Sequence, residues 1–271
     1  MPVRLARFLA RAGVTSRRGA ADLVATGRVL VNGNAPIGPG DPVDPTRDRV
    51  TLDGRALALP GTVWLALHKP AGYVTSRRQT DRFPSVYALV PDGPPGLVAV
   101  GRLDVLSEGL LLFTTDGEAA NRLMHPRWQV DRSYVVSVTG RPELEPDTVL
   151  SRGVALEDGP PVRPAAWRFV PRRGGKGGEI EVTLREGRSR VVRRMAVRLG
   201  LGVRRLVRVS YGPVRLGGLP RGAVRTLERR EVAGLYCSLG LPAPGEHAAE
   251  LRPCSAAARR RASRRGPRPR S

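Results

Sequence analysis

Apolar residues recur at helical spacing along the first 25 residues of the chain. The spacing i, i+3, i+4, i+7 is typical of a helix with one face in a core, and it is kept by Leu5, Phe8, Leu9 and Ala12 and again by Ala20, Leu23 and Val24. Gly13 ends the first predicted helix, and Gly27 ends the second. We expect Thr15 or Ser16 to cap the second helix, since a hydroxyl there can accept a backbone N–H.

From residue 29 onward, short β-rich runs alternate with turn signals such as Asn32-Gly33. The predicted strands cover 29–31, 50–52, 63–68, 97–100, 110–114, 134–138, 179–184 and 206–210. Helical patterns occur at 117–124 and 189–199. Because strands and helices mix without strict βαβ alternation, the pattern favours an α+β fold over a doubly wound sheet.

Length and composition predict two domains and a tail. A chain of 271 residues with 41% apolar residues is long enough for two cores. Residues 34–60 are rich in Pro, Gly and Asp, which is typical of a hairpin followed by a linker. We expect domains at 1–60 and 61–241 and a disordered Arg-rich tail at 242–271, which fits either a solubilising extension or an RNA-tethering arm.

The charge of the chain points to a polyanionic partner. Lys and Arg number 46 against 24 Asp and Glu, a formal net charge of +22, and such a field attracts nucleic acid first. Two cysteines and three scattered histidines do not suggest a metal centre. No apolar run approaches the ~18 residues that span a membrane, and arginines interrupt the N-terminal apolar stretch, so we expect a cytoplasmic protein.

Arginines cluster on the predicted N-terminal helix pair and just after it: Arg4, Arg7, Arg11, Arg17, Arg18 and Arg28. Guanidinium groups make forked bonds to phosphate oxygens, although an ordinary charged helix face would look similar. The run RLARFLARAGVTSRR at 4–18, followed by GRVLVNG at 27–33, resembles the S4 RNA-binding domain over about residues 3–48. The resemblance implies a small domain that binds structured RNA, mainly ribosomal RNA.

Asp104 follows a short apolar strand and lies on a predicted loop before the strand at 110–114. On spacing alone, such an Asp is usually a turn former or a helix cap, and pairing it with Glu108 gives only a weak two-carboxylate site. No Ser/His/Asp set is evident in the sequence. The residues therefore leave the role of Asp104 open.

A series of ordered motifs resembles the bacterial ribosomal RNA pseudouridine synthases of the RsuA/RluB family. The central motif is GRLDVLSEGLLLFTTDG at 101–117; the others are HKPAGYV at 68–74, NRLMHP at 121–126, RSYVV at 132–136, EGRSRVVRRM at 186–195 and GPVRLGGLPRG at 212–222. The resemblance covers about residues 3–235 and is closest to the RluB group, which acts on large-subunit ribosomal RNA. Two departures are Val191, where the family usually has a polar residue, and Ser107, where Thr is common.

The resemblance implies an S4 domain followed by a catalytic domain with a mixed, mostly antiparallel central sheet flanked by helices. The implied reaction isomerises a specific uridine, expected in 23S ribosomal RNA, to pseudouridine. The C1′–N1 bond breaks, the base turns, and C5 joins C1′, so no cofactor and no metal are implied. The implied partner is ribosomal RNA or a ribosome precursor, bound by a monomer, and no membrane is involved.

The resemblance also assigns the catalytic residues. Asp104 is the reacting carboxylate, and attack on C1′, addition to C6 and removal of a sugar proton all stay open. Arg193, with Arg190 as second choice, is the guanidinium that would favour its charged form. Tyr134 is either a half-buried strand aromatic or, as in the family, a ring stacked on the extruded uracil.

The remaining basic residues of the motifs are candidate RNA contacts: Lys69, Arg102, Arg188, Arg190 and Arg194. Lys69 could instead finish a strand, and Arg190, Arg194 and Arg198 could form a helical stripe that faces solvent or phosphate. The glycine-rich run at 174–178 lacks phosphate-loop spacing and fits a hairpin loop better.

Two functions without catalysis compete with the isomerase. An RNA-binding ribosome assembly factor explains the charge equally well, but it would not need Asp104, Tyr134 and Arg193 together. A DNA-binding protein is the weaker alternative, because beyond the S4-like helices the sequence shows no helix-turn-helix or zinc-finger spacing.

Overall fold

The computed structural model describes residues 2–59, 61–77, 80–142, 146–172 and 177–244. The chain forms two compact units. The first holds the residues up to Trp64 with Asp92–Ala99 and Phe113–Glu118, and the second holds Leu65–Pro91, Val100–Leu112 and the chain from Ala119 onward. Beyond residue 244, the tail predicted at 242–271 lies outside the described residues, as do residues 173–176 of the glycine-rich run.

Two short helices and two small sheets form the start of the chain. In order, the elements are β1 (Val3–Arg4), α1 (Leu5–Arg11), α2 (Ala20–Ala25), β2 (Val29–Val31), β3 (Pro42–Val43), β4 (Val50–Leu52) and β5 (Arg55–Ala56). β2, β4 and β5 form an antiparallel sheet, and β1 pairs with β3. One core unites the helices and strands through Leu5, Phe8, Leu9, Ala20, Val24, Val29, Val43 and Val50. The predicted helical spacing is confirmed.

The turns of this region follow the sequence prediction, whereas the predicted helix cap is wrong. Asn32 and Gly33 have φ of +52° and +83° and turn the chain after β2. α2 begins at Ala20, with Gly19 in the N-cap position and no side-chain cap. Ser16 Oγ accepts the Gly19 N–H at 3.0 Å, so the hydroxyl closes a turn ahead of the helix.

A nine-stranded sheet dominates the rest of the fold. The further strands are β6 (Trp64–Lys69), β7 (Val98–Ala99), β8 (Glu108–Thr114), β9 (Arg132–Thr139), β10 (Val154–Leu156), β11 (Gly159–Val162), β12 (Ala166–Pro171), β13 (Gly178–Leu184), β14 (Gly202–Tyr211), β15 (Val214–Arg215) and β16 (Val224–Thr226). The sheet order is β12-β13-β9-β14-β8-β6-β16, with β15 beside β14 and β7 beside β8, while β10 and β11 form a separate hairpin. β14 and β8 are parallel, whereas β12–β13, β13–β9, β9–β14 and β6–β16 are antiparallel. The predicted mixed, mostly antiparallel sheet is confirmed.

Four further helices accompany the sheet: α3 (Gly117–Met124), α4 (Pro146–Arg152), α5 (Val191–Arg198) and α6 (Arg229–Ser238). Short 3₁₀ turns occur at Val86–Leu89 and Pro126–Trp128. α5 buries Val192, Met195 and Ala196, and β9 alternates buried and part-exposed residues along its length. The α+β class is therefore confirmed. None of the described helices has the length and apolar composition required to span a bilayer.

Gly109 allows the parallel strands β8 and β14 to approach closely. Its φ is +107°, and a Cβ there would lie 2.3 Å from the Arg208 carbonyl oxygen and 2.5 Å from the Arg208 nitrogen. Arg208 is its registered partner on β14. Only glycine satisfies both the backbone angle and this contact.

We expect Gly109→Ala to destabilise the fold by about 3 kcal/mol or more, because positive-φ strain adds to a backbone clash. Gly222 is a matched control, since it has φ of +79° and nothing within 4 Å of the added Cβ. Gly222→Ala should cost only about 1–2 kcal/mol, the strain alone. Urea unfolding of both variants checks this, and equal losses would contradict the close approach.

Candidate active site

A cavity of about 390 Å³ opens in the second unit, within the size range of small-molecule sites. Its wall contains Gly101, Arg102, Leu103, Asp104, Ser107, Met124, Arg132, Tyr134, Gly187, Arg188, Ser189, Arg190, Val191, Val192, Arg193, Leu206, Arg208 and Tyr211. The loop before β8, the strands β9 and β14 and the start of α5 all contribute. The three residues predicted to be catalytic, Asp104, Tyr134 and Arg193, thus line one cavity.

Asp104 reaches the cavity from an ordered loop. Its neighbour Leu103 is buried, and Thr75 Oγ1 both accepts the Leu103 N–H at 3.2 Å and donates to the Leu103 carbonyl at 2.9 Å. The Ser107 N–H donates to the Asp104 carbonyl at 2.9 Å and closes a turn. The loop backbone is therefore fixed on both sides of Asp104. Asp104 itself is exposed.

Lys69 fastens this turn from inside the protein. Its ammonium is fully buried and donates to the carbonyl oxygens of Pro70 at 3.0 Å, Asp104 at 3.1 Å and Ser107 at 2.8 Å. Burial lowers the pKa of Lys69 from 10.5 to about 8, although the charges of Asp104 and Glu108 oppose that shift. The predicted RNA contact is wrong for Lys69, because an ammonium surrounded by backbone carbonyls is not exposed to a phosphate.

Arg193 holds the same turn from the α5 side. Its Nη2 donates to the Leu106 carbonyl at 2.8 Å and to Ser107 Oγ at 3.4 Å. Burial lowers the pKa of the Arg193 guanidinium, and the charge of Asp104 opposes the shift. Within the described chain, no ion pair of 4.0 Å or less joins Arg193 to Asp104. Arg193 therefore lies near Asp104, as predicted, but in this structure it bonds the turn rather than the carboxylate.

Tyr134 forms part of the inner wall on β9. It is 8% exposed, and its registered neighbours are Val182 on β13 and Arg208 on β14. Its position fits both the interpretation as a strand aromatic and the interpretation as a ring that contacts a bound base.

Two buried arginines that the sequence analysis missed flank a second tyrosine of the wall. The guanidinium carbons of Arg132 and Arg208 each lie 4.9 Å from the ring centre of Tyr211. Arg132 Nη2 donates to the Leu123 carbonyl at 2.9 Å and to the Tyr211 hydroxyl at 3.1 Å. For Arg132 the available signal was its register, because it lies two residues before Tyr134 on the buried face of β9.

Arg188 and Arg194, predicted to contact RNA, are engaged within the protein. Arg194 Nη2 donates to both carboxylate oxygens of Asp158, at 2.8 and 2.7 Å. Arg188 pairs with Glu186, donates to the Pro160 carbonyl at 2.8 Å and lies 3.4 Å from Asp158. Their guanidiniums bind the β10–β11 hairpin, and the RNA contact stays a prediction for both arginines.

The other predicted RNA contacts differ in exposure. Arg102 and Arg190 are exposed on the cavity rim, and Arg190 has φ of +50° at the N-cap of α5. Arg4, Arg17, Arg18 and Arg28 are exposed in the first unit, where Arg7 and Arg11 are half-buried. Arg28 donates one hydrogen bond to each carboxylate oxygen of Asp53, and Arg7 pairs with Glu118 at 3.4 Å.

Val191 is buried in the cavity wall. This departure from the family pattern therefore places an apolar group where the family usually has a polar one.

Family models match both parts of the chain. Residues 63–197 match the RNA pseudouridylate synthase model, and residues 3–46 match the S4 domain model. The chain belongs to the RNA pseudouridine synthase family, whose members are isomerases, and it carries an S4 domain.

Among its relatives, the chain is 44% identical over 238 residues to the ribosomal large subunit pseudouridine synthase B of Yersinia pestis, covering 84% of this chain and 73% of that protein. It is 39% identical over 242 residues to a protein of Aquifex aeolicus (strain VF5) named as an uncharacterized RNA pseudouridine synthase, covering 89% and 96%. A pseudouridylate synthase crystal structure matches with a TM-score of 0.59 and 27% identity, covering 86% of this chain and 99% of that one.

We expect Lys69→Met to lower kcat by about 100-fold, because losing the buried ammonium lets the Asp104 turn shift. The slope of log K for RNA against log salt should not change, since Lys69 is not an RNA contact. Arg102→Met, at the exposed rim, should reduce that slope by about 1. Binding titrations at several salt concentrations, with single-turnover rates, make the comparison. A slope change of about 1 for Lys69→Met would restore it as an RNA contact.

The lowered pKa of Lys69 also predicts a pH effect on stability. Below pH 8 the amine is charged in both states, and the folded state carries the full cost of burying it. Between pH 8 and 10.5 the unfolded state binds more protons, so stability rises with pH. The unfolding free energy of the wild type, minus that of Lys69→Met, should increase across this window. A flat or falling difference in urea titrations would contradict the buried ammonium.

Proposed function

We propose that this chain isomerises one uridine of 23S ribosomal RNA to pseudouridine in the Asp104 cavity. The cavity carries the proposal, because it brings a single carboxylate, a tyrosine ring and several arginines to one concave wall. The sequence similarity to a ribosomal large subunit pseudouridine synthase B supports the choice of the large-subunit RNA. We place the boundary between the RNA-binding S4 domain and the catalytic domain near residue 60.

Asp104 is the reacting group in this proposal. A uridine inside a helix cannot reach the carboxylate, so the nucleotide leaves the stack and its base enters the cavity against Tyr134. An aromatic wall offsets part of the stacking that the base loses, worth about 1–3 kcal/mol. Attack at C1′, addition at C6 and removal of a sugar proton all require the ionised carboxylate beside the ribose or the base.

The proposed reaction is an isomerisation, so the nucleotide has the same atoms before and after it. The C1′–N1 bond breaks and its electron pair stays with the uracil. After the base turns, C5 bonds to C1′, the C5 hydrogen leaves as a proton, and N1 takes up a proton. The chain supplies positioning, a fixed carboxylate and a positive environment.

The arginines outside the cavity bind the RNA backbone in this proposal. Arg102 and Arg190 are exposed at the rim beside Asp104 and suit the phosphates next to the extruded nucleotide. Arg4, Arg17 and Arg18 are exposed in the S4 unit and suit a structured RNA stem. We further propose that the chain acts as a monomer in the cytoplasm, where ribosomal RNA is made.

We expect Asp104→Asn to lower the rate of pseudouridine formation by about 10³-fold or more, because the amide has no charge and is a poor nucleophile and base. RNA affinity should stay within about threefold of wild type. Tritium release from C5-labelled 23S fragments measures the rate, and carbodiimide primer extension locates the modified position.

Asp81→Asn is the matched control, because Asp81 is an exposed carboxylate of the second unit outside the cavity wall. It should react at the wild-type rate. Full activity in Asp104→Asn would remove Asp104 as the reacting group. A wild-type protein that binds ribosomal RNA with a steep salt dependence but forms no pseudouridine would instead be an assembly factor.

A further inference from the structure

Arg208 is a buried guanidinium in the cavity wall to which the proposed reaction gives no role. It is 2% exposed, its Nε donates to the Leu110 carbonyl at 2.7 Å, and its guanidinium carbon lies 4.9 Å from the Tyr211 ring centre. Its Nη2 is buried and has no hydrogen-bond partner among the described residues. A buried cationic donor of this kind normally has an acceptor.

Arg208 differs from the other described residues with an unpaired buried atom because it lines the cavity. In the part of the chain that the structure describes, five buried side-chain atoms lack a hydrogen-bond partner, and they belong to Arg7, Arg11, His68, Arg194 and Arg208. Of these residues, Arg208 alone lines the cavity. Arg132, the neighbouring wall arginine, uses its Nη2 for two hydrogen bonds within the protein. An unused donor therefore belongs to a side chain in the wall of the proposed substrate site.

The backbone holds Arg208 in place on both sides. On one side, Gly109 of β8 is its parallel partner at the close approach described above. On the other side, Tyr134 of β9 is its antiparallel partner. Paired residues on adjacent strands project to the same face of a sheet, so the guanidinium and the Tyr134 ring share the cavity face. A donor fixed in this way needs little reorganisation when an acceptor arrives.

We propose that Arg208 Nη2 donates a hydrogen bond to a carbonyl oxygen of the target uracil. This inference rests on the proposed function and identifies which group recognises the base. Uracil offers two such acceptors, O2 and O4. In each of the three routes open to Asp104, negative charge develops on the uracil ring and reaches O4, and in the two routes that release uracil as an anion it also reaches O2. A guanidinium donor then binds the transition state more tightly than the resting uridine.

The proposal also explains selection of uracil. Cytosine shares O2 with uracil but carries an amino group in place of O4, so the bond selects uracil where O4 is the acceptor, because an amino group cannot accept a hydrogen bond from a fixed cationic donor. A site built around a donor rejects a base without the matching acceptor more strongly than an apolar pocket could. With O4 as the acceptor, Arg208 contributes to specificity as well as to rate, whereas with O2 it contributes to rate alone.

The test pairs a change in the protein with a change in one atom of the substrate. RNA fragments carry uridine, 2-thiouridine or 4-thiouridine at the target position, because sulfur is the weaker acceptor. Wild-type single-turnover rates should fall by roughly 10-fold with one of the two thio bases. Arg208→Met should react roughly 10- to 100-fold more slowly with uridine. It should show no further loss with that thio base, because the interaction is already absent.

Arg204→Met is the matched control, because Arg204 is an exposed arginine on the same strand β14. It should keep both the wild-type rate and the wild-type thio effect. If Arg208→Met fails to fold by circular dichroism, Arg208→Lys replaces it. That variant keeps the charge and should reduce the thio effect at least threefold.

The outcomes separate this inference from the proposed function. Thio effects of equal size in the wild type and the Arg208 variant would overturn the hydrogen bond. A wild-type enzyme indifferent to both thio bases would overturn it too. In both cases the conversion of ordinary uridine leaves the isomerase assignment standing. A wild-type protein that converts no uridine at all contradicts the proposed function itself.

Discussion

One buried ammonium group organises the candidate active site. Lys69 lies at the end of β6 with no exposed surface, and its Nζ donates to the carbonyl oxygens of Asp104 and Ser107 on the loop before β8. Arg193 holds the Leu106 carbonyl of the same turn from α5. The carboxylate of Asp104 therefore extends from a backbone fixed by two cations. A loop without these bonds would present the same residue in many positions and lose the advantage of a prepared geometry.

The interior of the second unit carries positive charge that no carboxylate balances directly. Lys69, Arg132 and Arg208 are all buried and form no ion pair within the described chain. Backbone carbonyls and the Tyr211 hydroxyl accept their hydrogen bonds instead. Carbonyl dipoles solvate a cation without cancelling its charge, so the field of these groups extends into the cavity. Such a field suits a site that receives an RNA backbone and a base that gains negative charge as it reacts.

The sequence predicted local elements well where hydrophobic periodicity was undisturbed. The strands at 29–31 and 50–52 and the helix at 117–124 have the predicted ends. The sequence prediction missed the hairpin of β10 and β11, which contains Pro160 and Pro161, and it missed α6, whose start carries Arg229 and Arg230. For α6 the local signal was present, since Val232, Leu235, Tyr236 and Leu239 keep helical spacing. For β11, the fold overrides the low strand propensity of two prolines.

The candidate active site likewise contains residues that the sequence predicted and residues whose contacts it did not. Motif order led to Asp104, Tyr134 and Arg193, and the structure brings these three to one cavity, while their roles remain predictions. A sequence shows that a residue is charged but not what faces it across the fold. The motif that contains Lys69 thus predicts an RNA contact, although backbone carbonyls surround its buried ammonium.

The most direct measurement is a structure of the Asp104→Asn protein bound to a 23S ribosomal RNA fragment that contains the modified position. The account predicts a uridine turned out of its helix, its uracil against Tyr134, and its C1′ beside residue 104. A complex in which every uridine stays stacked and the cavity holds no base would contradict it.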